Sequence, residues 1–64
     1  MSKVVEAAHE MLNTDKCIFQ VLDTVGAAAV SLTGGELSLG STIELLKVLR
    51  AAEQRIQEIT GSRL

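Results

Sequence analysis

The chain has no proline, no tryptophan and no tyrosine, and Phe19 is its one aromatic residue. Without proline the strongest helix breaker is missing, so long helices are open to it. With a single aromatic, any core must be built from Val, Leu, Ile, Ala and Met. The single cysteine, Cys17, cannot close an internal disulfide, which suits a reducing compartment. Six Lys and Arg stand against eight Asp and Glu, and the cations do not cluster. That excludes a strong nonspecific grip on nucleic acid and leaves at most an incidental contact. No apolar run approaches the ~18 residues of a membrane span. The N-terminus lacks the basic segment and unbroken apolar stretch of a signal peptide, so the expected location is the cytoplasm.

What is present is the composition of a folded chain: 47% hydrophobic residues with 22% charged. Its 64 residues allow one domain, 1–64. A domain of this size buries only about 60% of its unfolded surface, so partner surfaces often complete its stability.

Residues 3–25 carry a helical pattern. Val4, Ala8, Met11, Ile18, Leu22 and Val25 follow a 3,4 spacing with a gap at Asp15, and Val5, Leu12 and Phe19 run alongside. Asn13-Thr14-Asp15 compete for backbone hydrogen bonds and mark a weak point. The stretch reads as one long helix, bent there, or as two; the stripe resumes in phase, which favours one. Gly26 ends the pattern, and Ala27 to Ala29 are ambiguous between helix and extended chain.

Residues 29–40 predict a β-hairpin. Gly34 and Gly35 suit a two-residue type I′ turn, because both positions need φ > 0. Counting outward from Thr33 and Glu36 pairs Leu32 with Leu37, Ser31 with Ser38 and Val30 with Leu39, like with like on each face. Ser41 and Glu44 then read as a capping box opening a helix over 42–60. Leu45, Leu49, Ala52, Ile56 and Ile59 form its seam, and Arg50–Glu53 and Arg55–Glu58 are i,i+3 pairs. Gly61 is the expected C-cap, with 61–64 a frayed tail. The expected fold class is α+β: helix, two-stranded antiparallel hairpin, amphipathic helix.

Reactive constellations are missing. Gly35 to Thr42 has the glycine spacing of a phosphate loop, but Ser41 replaces the lysine and Glu36 has the wrong sign. His9 and Cys17 are too few for a metal site and sit about 12 Å apart along a helix, too far for a nucleophile pair; His9 reads as a solvated surface residue and Cys17 as a small, partly buried apolar one. No cofactor, metal or small-molecule substrate is expected, and the chain does not read as an enzyme. Lys47 and Arg50 lie together on one side of the last helix. Interleaved Glu44, Glu53 and Glu58 make that side a solvated face, the alternative being a contact for an acidic partner. Val5, Phe19, Ile43 and Val48 exceed what one small core needs, which points to oligomerisation.

In this order of elements the chain resembles the small head–tail joining (head completion) proteins of tailed phages, of the lambda W type. The residues that carry the likeness are Val30 to Leu39 around Gly34-Gly35, then Ser41-Thr-Ile-Glu-Leu-Leu46. The resemblance implies a non-enzymatic virion assembly protein. Such proteins join a ring of copies under the portal, close the packaged head and offer a surface to the next tail-connector component. On that reading the candidate contacts are Val30, Leu37, Leu39, Ile43, Lys47 and Arg50, with Arg63 and Leu64 in the tail. The chain departs from the family in lacking an extended basic C-terminus, which leaves DNA contact without a carrier. The alternative from another class is a small homodimeric helical regulatory or adaptor module, of the plasmid-copy-control or antitoxin-like kind. In that case 27–40 would be a loop rather than a hairpin, and the amphipathic segments would pair between chains.

Overall fold

The computed structural model describes residues 2–34 and 36–61. Three helices follow one another: α1 (Lys3–Thr14), α2 (Ile18–Thr33) and α3 (Leu39–Thr60). Among the described residues there is no strand, so the expected α+β class is corrected to all-helical.

The hairpin fails at its first strand. Ala27, Ala28 and Ala29, with the lowest intrinsic cost of any residue in a helix, carry α2 forward through Val30 and Leu32 to Thr33. A strand would place Val30 and Leu32 on one face. The helix turns them about 200° apart, so Val30 is 73% exposed while Leu32 packs on the core. Gly34 does have positive φ, at 53°, but as the left-handed residue that stops α2, its N–H donating to the Val30 carbonyl at 3.0 Å. Gly35, the other half of the expected turn, lies outside the described residues. Leu37 and Leu39, the expected second strand, are instead connection and first helical residue.

The cap of α3 sits one turn earlier than Ser41–Glu44 suggests. Ser38 is the N-cap: its Oγ accepts from the Ser41 N–H at 3.1 Å, and the Ser41 Oγ accepts from the Ser38 N–H at 3.0 Å. The box is therefore S-x-x-S. Ser41 closes it from inside, and Glu44 lies in the second turn without a capping role. Gly61 ends the helix in the left-handed region, as expected.

The stretch 3–25 is two helices. Asp15 ends α1 in extended conformation, its N–H donating to the Met11 carbonyl at 2.9 Å. Cys17 starts α2, and the Gln20 side chain reaches back to accept from the Lys16 N–H at 2.6 Å. Asp15, which looked like a gap in the apolar stripe, is 5% exposed. Its Oδ2 accepts from the Thr24 hydroxyl at 2.7 Å, and its carbonyl accepts from Arg55 Nε and Nη2 at 2.9 and 2.6 Å. One guanidinium of α3 thus clamps the α1–α2 corner.

The core has two layers. Val5, Ala8, Ala28 and Val48 form one, Leu12, Val21 and Ala52 the other, and Val25 packs against both. These pairings run α2 antiparallel to α1 and α3 antiparallel to α2, an up-down-up bundle. Three of the seven buried apolar residues are alanines, so the axes approach closely but little large side chain is buried. The seam of α3 is shifted from the expected one. Val48 is fully buried and Leu49 is 43% exposed, while Ala52, Ile56 and Ile59 do face the core. In α1 the accompanying positions Val5 and Leu12 are core and Met11 is exposed.

Candidate interaction surface

The phase of α3 decides where its apolar side chains stay uncovered. Val48 and Ala52 turn one side of the helix into the core, with Ile56 and Ile59 packed beside them. Leu39, Ile43 and Leu46 lie more than about 100° round the helix from that side, and Leu49 lies at its edge. The four recur at spacings of 4, 3 and 3, one stripe along the helix, all at least 43% exposed. Lys47 and Arg50 are exposed beside this stripe, four residues on from Ile43 and Leu46. The expected contacts Leu39, Ile43, Lys47 and Arg50 thus share one side of α3. Arg63 and Leu64 lie outside the described residues. Among the described residues one ion pair forms, Arg55 to Glu58 at 3.6 Å, and the anticipated Arg50–Glu53 pair does not.

A second uncovered stripe runs along α2. Ile18, Phe19, Leu22, Gly26, Ala29 and Val30 repeat at i, i+3/i+4 and i+7, facing away from the Val21–Val25–Ala28–Leu32 side that packs inward. Phe19 is 80% exposed. Of the four residues expected as surplus apolar surface, Phe19 and Ile43 are exposed, while Val5 and Val48 are fully buried core; the length of this stripe is not legible in the sequence pattern, which reads Ala29 and Val30 as strand. Gly26 adds an anomaly. It does not end a helix but lies inside α2, without positive φ, and a Cβ added there would meet nothing within 4 Å. A helix-interior glycine costs about 1 kcal/mol relative to alanine, and nothing within this chain uses the space it leaves.

Between α1 and α2 lies an open groove of about 350 Å³, floored by Ala7, Ala8, Ala27 and Ala28, with Met11 and Asp23 on its rim. Small side chains on both helices produce it. Its lining is otherwise small and apolar, with the Asp23 carboxylate and the Thr24 and Ser31 hydroxyls as its polar groups, so it can take an apolar side chain. His9 is half-buried rather than the solvated residue expected; its Nε2 is screened from solvent and finds no hydrogen-bond partner among the described residues. Cys17 is exposed, not partly buried. Among the described residues no group of three or more His, Cys, Asp or Glu could hold a metal, and no helix is long and apolar enough to cross a membrane.

No protein-family model, curated protein or solved structure matches the chain.

Proposed function

We propose that this chain is a non-enzymatic helical module that works by protein–protein contact and self-associates, an adaptor or regulatory protein rather than a catalyst. One observation carries the reading: among the described residues ten large hydrophobic residues remain at least 40% exposed, against seven apolar residues buried, three of them alanine. An isolated soluble monomer rarely leaves that much apolar surface to water. The surface area agrees. A compact monomer of 6.8 kDa is expected to expose about 4,000 Å², and this chain exposes 4590 Å².

Residues Val30 to Leu39, which carried the likeness to head–tail joining proteins, are the end of one helix, a turn and the start of the next. We therefore place that role, with its portal and tail-connector partners and its ring of copies, behind self-association. Light scattering on the eluting protein across a wide concentration range tests the reading. The expected mass is a multiple of 6.8 kDa that falls on dilution. A single-chain mass up to about 1 mM overturns it.

A further inference from the structure

We propose that two copies of this chain pair through the outer face of α2, antiparallel about a two-fold axis that passes by Gly26. This rests on the self-association just proposed and names its surface. Two observations meet at this face. Phe19, Leu22 and Val30 are 80%, 54% and 73% exposed along one stripe. Gly26, at the centre of that stripe, is a helix-interior glycine with open space where its Cβ would be. Close approach of a second helix backbone is the use such a position has, since removing a side chain lets two axes come together. Area allows the pairing. A stable interface needs about 600 Å² from each copy, and the chain as a whole exposes 4590 Å², about 600 Å² more than a compact chain of its mass.

The spacing of the stripe is self-complementary, which is what identifies the occupant as a second copy. With the axis at Gly26, Leu22 of one chain meets Val30 of the other and the reverse contact follows by symmetry. Phe19 then covers the end of the facing helix near Thr33. Antiparallel packing also sets each helix N-terminus beside the opposite C-terminus. Asp23 is the only charged residue in α2. Its two copies would be offset by about 9 Å along the axis, so no like charges are forced together. The α3 stripe of Leu39, Ile43 and Leu46 carries Lys47 and Arg50 at its edge. Closing a second copy over that stripe would take two exposed cations out of water, which makes α3 the poorer self-surface.

Sedimentation equilibrium from about 1 μM to about 1 mM on the full chain tests this, with the variants Phe19→Asp, Gly26→Leu and Leu46→Asp. The wild type is expected to be a dimer. Phe19→Asp and Gly26→Leu should each weaken dimerisation by more than about tenfold. Leu46→Asp should leave it within about threefold. Far-UV circular dichroism of the diluted chains guards against unfolding: Gly26→Leu replaces glycine in open space, so its monomer should melt at or above the wild-type temperature. A dimer that survives Phe19→Asp but is lost in Leu46→Asp overturns the α2 face while self-association stands. Unchanged dimerisation in Gly26→Leu overturns the crossing at Gly26. A monomeric wild type overturns both readings and leaves the face to a different protein.

Discussion

At the corner between α1 and α2 the chain is held by side chains from elsewhere in the bundle; at the corner between α2 and α3 it is held by its own backbone and a local cap. Asp15 is buried, and its carboxylate and carbonyl take hydrogen bonds from Thr24 and from Arg55, forty residues away. Gly34 and Ser38 act within a turn of themselves, and Leu37 and Leu39 around them are about three-quarters exposed. The first corner exists only once all three helices are together. The second uses only contacts within a turn of itself. A polar corner with a distant donor makes the packing of α3 on α1 and α2 specific, and the local corner leaves Leu37 and Leu39 exposed at the opposite end of the bundle.

The largest effect that would break this contrast is at Arg55. Arg55→Met keeps the apolar stem but removes both hydrogen bonds to the Asp15 carbonyl, and a cationic donor to an acceptor on a buried residue contributes about 2 kcal/mol. Urea unfolding at fixed protein concentration should show a loss of that size, with Arg55→Lys recovering only part, since a point ammonium does not reproduce the guanidinium fork. A loss below about 0.5 kcal/mol would mean that the corner is not clamped. Next is Gly34→Ala. Its φ of 53° is left-handed, and a Cβ there costs about 1.5 kcal/mol; a neutral result would show that α2 does not stop at this residue. Ser38→Ala should cost about 1 kcal/mol as a lost N-cap, and Glu44→Ala much less, by the same measurement. The reverse order would return the cap to Ser41 and Glu44. His9→Leu sharpens the contrast from the other side: removing a buried, unpartnered ring nitrogen should stabilise the fold by up to about 1 kcal/mol. The smallest effect is Leu37→Ser, expected within about 0.5 kcal/mol of wild type because the side chain is exposed in the monomer.

Much of the fold was legible in the residues, but not at the corners. Asn13-Thr14-Asp15 marked a break correctly, because short polar side chains offer the backbone other partners. The choice of one bent helix over two failed because a stripe that resumes in phase arises equally from two helices facing the same core. The hairpin failed for a related reason. Val-Ser-Leu-Thr alternates, but four residues fit either period, and the preceding alanines decide for the helix once Val48 and Val5 are there to receive Ala28 and Leu32. The S-x-x-E box at Ser41 and the S-x-x-S box at Ser38 compete for the same helix start, and spacing alone does not rank them. Of the candidate contacts, Ile43 and Phe19 were visible as surplus apolar residues. The α2 stripe stays hidden as long as Ala29 and Val30, two of its six residues, are read as strand.

The sequence by itself determined that the chain is helix-rich, that Gly61 closes the last helix, and that its core is built from aliphatic side chains. These follow from composition and from local backbone chemistry, which need no distant partner. Only the tertiary structure decided that Asp15 is an anchor, that Val48 rather than Leu49 faces inward, and that the outer face of α2 is left uncovered. Each of these depends on which helix lies opposite and how far it extends, and a 3.6-residue period carries the phase of a helix only to within one neighbouring position.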